Sequence, residues 1–148
     1  MVSGASSIIP SLTIKRRLNA PAEKVYAAWT DPERIVRWWG PSNAAETHHV
    51  ETDVRVGGRF RIIFRDTDGE DHDVRGVYRE VVPNERLVFT WAWQTTLERE
   101  SLVTVALKPD GDATLLTLVH EQFFNAAARD RHNWGWMGAI DKLERLFG

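Results

Sequence analysis

The chain has 148 residues, of which 43% are hydrophobic and 27% charged, and its formal net charge is -2. That balance belongs to a globular protein with a real core rather than to a disordered chain. Acidic and basic residues are interspersed, with neither the basic stripe of a nucleic-acid binder nor the polybasic run of a membrane-surface anchor. The absence of cysteine excludes disulfides, thiolate metal sites and a cysteine nucleophile together.

No stretch approaches the ~18 apolar residues of a membrane-spanning helix. Met1 to Ser11 lacks the basic start and apolar run of a secretory signal. Together with the cysteine-free composition, these features predict a cytoplasmic protein without membrane insertion. A domain of this length buries about 70% of its unfolded surface, so one domain over residues 11–148 is expected, preceded by a flexible tail over 1–10. Seven tryptophans is a high count, and six fall in pairs: Trp38 with Trp39, Trp91 with Trp93, Trp134 with Trp136.

Ser11 to Leu18 has strand character, with Leu12, Ile14 and Arg16 on one face. Pro21 marks a helix start, and Val25, Tyr26 and Trp29 supply its apolar stripe. A second short helix begins around Thr30-Asp31-Pro32-Glu33, where Thr30 and Asp31 compete as cap. It carries Ile35, Trp38 and Trp39 and stops at Gly40-Pro41.

From Glu46 to Glu121 the hydrophobic period becomes two. Turn residues at Gly57-Gly58, Asp68-Gly69, Pro83-Asn84 and Pro109-Asp110-Gly111, with a longer connection around Gln94 to Arg99, divide this region into six strands. With the first strand they make a seven-stranded antiparallel sheet. Alternation assigns an inward face to Phe60, Ile62 and Phe64, then to Phe89, Trp91 and Trp93. It does the same for Leu116, Leu118 and His120, and Tyr78 shares a face with Gly76 and Glu80.

A long helix from about Asn125 to Phe147 ends the chain, with Asn125 as N-cap. His132, Trp136, Ala139, Ile140, Leu143 and Phe147 form its apolar stripe, while Trp134 and Met137 lie off it and suggest a homodimer contact. Gly135 and Gly138 interrupt it at a cost of ~1 kcal/mol each relative to alanine, which requires either close approach to the sheet or space for a ligand beside Trp136.

Several motifs occur in a telling order. They are Ala20-Pro21-Ala22-Glu23-Lys24-Val25, Asp31-Pro32-Glu33, Trp38-Trp39-Gly40-Pro41 and Asp53-Val54-Arg55-Val56-Gly57-Gly58. Pro83-Asn84-Glu85-Arg86-Leu87-Val88-Phe89-Thr90-Trp91, Leu118-Val119-His120-Glu121 and Gly135-Trp136 follow. The set resembles the START-related helix-grip superfamily (SRPBCC, typified by the birch-pollen allergen), in the branch of activator of heat-shock-protein-90 ATPase homologues. The resemblance covers about Leu12 to Phe147. It implies an α+β helix-grip fold, in which a curved seven-stranded sheet, two short helices and one long C-terminal helix enclose a cavity. Members of the superfamily bind lipids, hormones and polyketides, and some are cyclases or sequestering resistance proteins. The eukaryotic activators carry a further N-terminal chaperone-binding domain where a ten-residue tail is expected here, so a chaperone partner is not expected.

These readings converge on an apolar, aromatic or polyketide-like ligand held by Trp39, Phe60, Ile62, Phe64, Tyr78, Phe89, Trp91, Trp93, Leu116, Leu118 and Trp136. His120, His132 and Arg129 are expected to orient its polar groups. The competing reading is a solid core, because aromatic stripes also serve packing alone. For His120 that reading is a hydrogen-bonded core histidine, and for Glu80 an ion pair with an arginine rather than a buried catalytic acid. An enzyme of cyclase, dehydratase or hydrolase type using the same pocket is one alternative function, although no Ser-His-Asp spacing, P-loop, dinucleotide glycine motif or flavin signature is present; a co-chaperone-like protein that stimulates a chaperone ATPase is the other. No catalytic residue, metal or cofactor is assigned. His48, His49 and His72 do not suit a metal, since adjacent strand residues point to opposite faces.

Overall fold

The computed structural model describes residues 10–148; the expected tail, apart from Pro10, lies outside them. Seven strands form one antiparallel sheet: β1 (Leu12–Leu18), β2 (Glu46–Thr52), β3 (Arg59–Arg65), β4 (Asp71–Val82), β5 (Arg86–Trp93), β6 (Ser101–Asp110) and β7 (Ala113–Glu121). Their order is β1-β7-β6-β5-β4-β3-β2, a meander from β2 to β7 with β1 returned to its far edge. Helices α1 (Ala22–Thr30) and α2 (Pro32–Ile35) fill the connection from β1 to β2, and α3 (Ala126–Phe147) follows β7. This is the curled sheet and long helix of a helix-grip fold. No helix among the described residues is long and apolar enough to cross a membrane.

Local chemistry sets the element ends; it decides between the two competing caps of α2 and in two further places departs from the sequence expectation. Asp31, not Thr30, caps α2: its Oδ1 accepts from the Glu33 N–H at 3.0 Å, while the Thr30 hydroxyl donates to the Tyr26 carbonyl. The short side chain of Asp31 reaches the first turn, whereas Thr30 still belongs to α1. Beyond Ile35 the chain continues in turns rather than helix, so α2 ends before Trp38 and Trp39. The β6–β7 turn is Gly111-Asp112, and Pro109 pairs with Thr114 inside the ladder. Gly111 supplies the positive φ of 62° that the tight turn requires. At the start of α3, Asn125 Oδ1 accepts from the Ala128 N–H at 2.8 Å, as its N-cap position predicts.

Two register shifts curve the sheet, one between Thr47 and His49 and one between Tyr78 and Glu80. At the second, the Thr90 hydroxyl accepts from the Val77 N–H at 2.8 Å. A Cβ on Gly76 would collide there with the Thr90 carbonyl, so glycine lets β4 fold closely over β5. The concave face holds the core, where Val74, Val103, Leu116, Leu118, Ile140 and Leu143 are fully enclosed. Arg16 stands on the inward-facing side of β1 between Ile14 and Leu18 and fastens the far end of α3, reaching Asp141 at 2.7 Å and Glu144 at 2.8 Å.

The two mid-helix glycines have different reasons. A Cβ on Gly138 would strike the Pro41 carbonyl, so α3 approaches the Trp39–Ser42 loop there, not the sheet. At Gly135 the nearest neighbour would be Pro41 Cβ at 3.7 Å, an ordinary contact. Gly135→Ala is therefore expected to raise stability by about 0.5–1 kcal/mol through helix propensity. Gly138→Ala is expected to lower it by about 1–3 kcal/mol through overpacking. Urea unfolding of the two variants beside the parent checks this opposition of sign.

Candidate ligand cavity

The aromatic face divides into a closed part and an open part. On the side covered by α1 and α2, Phe60, Ile62, Tyr78 and Phe89 meet Trp29, Ile35 and Trp39 around a void of only about 20 Å³, close to the space of a single water. Rings there pack edge to face, such as Phe60 on Phe89 at 5.2 Å between centroids, and burial pushes the Tyr78 hydroxyl's pKa up. Leu116 and Leu118 are likewise sealed in the core. These six residues, expected at a ligand site, fill volume instead, because the short helices and α3 cover that part of the sheet completely.

Beyond them lies a cavity of about 630 Å³, within the usual range for small-molecule sites. Its floor is Trp91 and Trp93 from β5 with Phe64 from β3, and its roof is the first half of α3 through His132, Trp136 and Ala139. Trp39 and Pro41 form one lip, and the β3–β4 hairpin forms the other with Asp66, Asp68 and His72. His72 stacks on its cross-strand partner Phe64 at 5.2 Å. The sequence signal for His72 was present: it alternates with the buried Val74 and faces inward. Trp134, expected as a subunit contact, stands at the rim with 64% of its surface exposed.

The lips are tied down by polar contacts that periodicity does not reveal. Lys142 Nζ donates to the carbonyls of Trp39 and Ser42, each at 2.9 Å, which fastens the first lip to α3. Burial lowers this amine's pKa, while Asp66 opposes the shift. The Ser42 hydroxyl donates to Asp66 Oδ1 at 2.7 Å and bridges the two lips. Asp68 accepts from the Glu70 N–H and pairs with His72 at 2.9 Å, and both interactions hold its carboxyl below its ordinary pKa.

Two histidines belong to hydrogen-bonded chains, His132 in the cavity wall and His120 behind it. His132 Nδ1 contacts the Ala128 carbonyl at 2.7 Å, so it carries the proton, and Nε2 accepts from the Trp93 indole N–H at 2.9 Å. His120 is fully buried; its Nδ1 accepts from the Trp136 indole at 3.0 Å, so its Nε2–H donates to Ser101 Oγ at 2.7 Å. Ser101 in turn donates to the Trp91 carbonyl at 3.3 Å. Both rings are neutral and have every nitrogen occupied. Burial lowers both pKa values, that of His120 well below 6.5, and the two rings lie 5.1 Å apart. His120 is thus the core histidine of the competing reading, enclosed by Phe123 at 4.2 Å.

Arg129 does not join them. It pairs with Asp130 at 3.0 Å and lies outside the cavity wall, where Arg131 is the rim cation. Near the start of a helix, one residue of phase moves a side chain by about 100°. Glu80 is half exposed and paired with Arg86 at 3.0 Å, which answers the buried-acid reading with the ion pair. The described residues hold no group of three or more metal-ligating side chains.

The buried imidazoles predict the direction of pH dependence. Their folded pKa values are depressed below 6.5, so the unfolded state takes up protons first and stability falls as pH drops below that value. The lowered carboxylates Asp68 and Asp73 act only below their ordinary value of 3.8. Urea midpoints are therefore expected to decline between about pH 7 and pH 5, a window set by histidine titration. A flat profile there would show that neither ring is held neutral.

The geometry agrees with the comparisons. The described fold superposes on a protein of Chromobacterium violaceum with a TM-score of 0.83 at 29% identity, over 93% of this chain and 96% of that one. A protein of Rhizobium leguminosarum gives a TM-score of 0.77 at 30% identity, over 93% of each chain. An AHSA1-like protein of Aeromonas hydrophila, at 24% identity and TM-score 0.77 over 92% of this chain and 90% of that one, shares the fold. Against curated proteins the sequence finds no match. The family profile described as activator of Hsp90 ATPase homolog 1-like protein matches residues 19–148, nearly the whole sheet and all three helices, and the chain belongs to that family.

Proposed function

We propose that this protein binds an apolar, aromatic or polyketide-like small molecule in the cavity between α3 and β5. The observation that carries this reading is an open volume of about 630 Å³ walled by indole and phenyl rings, next to a second aromatic cluster that closes almost without a void. The same residue types fill space in one half of the core and leave it in the other. Hydrophobic ligands are also common cargo of the helix-grip superfamily.

Binding is favoured over catalysis by the state of the histidines. Each donates one N–H and accepts one indole N–H, so neither presents a free lone pair to a substrate as a general base. Trp39, Phe64, Trp91, Trp93, Trp136 and His132 form the contact set, with Arg131 and the rim aspartates meeting whatever polar end projects to solvent.

Native mass spectrometry of protein purified gently from its own host is expected to show a discrete additional mass that denaturation removes. Trp93→Ala, which removes part of the floor, lowers affinity for that species at least about tenfold, as loss of a large aromatic anchor does. Phe89→Leu, in the closed half, costs about 1 kcal/mol of stability and leaves affinity within about twofold. Equal effects of the two substitutions on affinity, or no retained mass together with no uptake of naphthalene-class probes, would refute the assignment of the cavity.

A further inference from the structure

The indole N–H groups around the cavity differ in how they are satisfied. That of Trp93 goes to His132, that of Trp136 to His120, and that of Trp38 to the Ala28 carbonyl. Those of Trp29 and Trp91 are buried without a hydrogen-bond partner; Trp29 lies in the closed half of the core, whereas Trp91, only 5% exposed, forms the floor of the open cavity. Buried polar groups of native proteins are rarely left in this state, and each exception calls for an explanation.

The surrounding protein does not offer Trp91 an acceptor. The rings of His120 and His132 lie 5.3 and 6.1 Å from its own, between centroids, but their lone pairs are already taken by Trp136 and Trp93. Ser101 Oγ accepts from His120 and spends its proton on the Trp91 carbonyl. Trp91 therefore carries an unused donor that is enclosed in this arrangement, with no free histidine acceptor beside it. Rotation about an indole χ2 is soft, and the ring borders open volume into which it can tilt.

We infer that Trp91 donates its indole N–H to an acceptor oxygen of the bound molecule, which specifies an apolar ring system bearing a carbonyl, such as an aryl ketone. This rests on the reading of the cavity as a ligand site. A hydroxyl or amine at the same depth finds no partner for its own proton among the histidines, whereas a carbonyl needs only the donor that is waiting.

A matched pair of probes tests it: 2-acetonaphthone and 2-ethylnaphthalene, similar in shape and differing in the carbonyl, titrated calorimetrically into the parent and Trp91→Phe. The ketone-to-hydrocarbon affinity ratio is expected to fall about tenfold in Trp91→Phe, the size of one net hydrogen bond. In ¹⁵N-labelled parent protein, the ketone shifts a single indole N–H resonance downfield and the hydrocarbon leaves it in place, a readout that holds even where Trp91→Phe does not fold. Binding of both probes with an unchanged ratio and no such shift overturns the role of Trp91 and leaves the cavity reading intact. Binding of neither overturns both.

Discussion

Two buried imidazoles join the C-terminal helix to the sheet, and each accepts a hydrogen bond from an indole N–H across that junction. Trp93 on β5 reaches His132 on α3, and Trp136 on α3 reaches His120 on β7. The crossed pairing fixes the height of the first half of α3 above the sheet and so the depth of the cavity. It is compatible with an apolar interior only because both rings are neutral, which burial itself enforces. A charged imidazole would need a second acceptor that the surrounding rings do not offer.

The opposite end of α3 is held by a different means. Arg16 spans to Asp141 and Glu144, and Lys142 gathers the carbonyls of the Trp39–Ser42 loop. Gly138 completes that contact by allowing the Pro41 carbonyl against the helix backbone. The lip of the cavity is therefore attached to the same helix that forms its roof. The opening is set by a backbone contact and a lysine together with the packing of Trp39 on Trp91 and Trp136.

The inner polar chemistry and the outer polar chemistry serve different ends. Inside, most donors and acceptors are paired among themselves, the indole N–H groups of Trp29 and Trp91 being exceptions, and the walls are left apolar. Outside, Asp66, Asp68, Asp130 and Arg131 surround the mouth in water, where charges cost little to keep and contribute little to affinity. Affinity in such a site comes from burying ring surface, and selectivity from the few polar atoms that are not already used.

The period-two alternation from Glu46 to Glu121, the turn residues between the runs and the Asn125 cap were legible in the sequence because they depend on local geometry. Strand faces, the meander and the inward positions of Trp91, Trp93, His120, His132 and Trp136 follow from that geometry and from helical phase. The family motifs are local in the same sense. Inward direction, however, does not distinguish a residue that lines space from one that fills it. Phe60, Ile62, Tyr78, Phe89, Leu116 and Leu118 point to the same concave face as Trp91 and pack solid, because α1, α2 and the far half of α3 cover them. Which indole each histidine finds, how Lys142 ties the lip and why Trp91 keeps its N–H unpaired are matters of contacts between separate elements of the chain, while Arg129 turns to its neighbour Asp130. The sequence by itself determined the pattern of inward and outward residues, since each chain segment carries its own period. Only the tertiary structure decided where the core is hollow, since that depends on how closely separate elements approach.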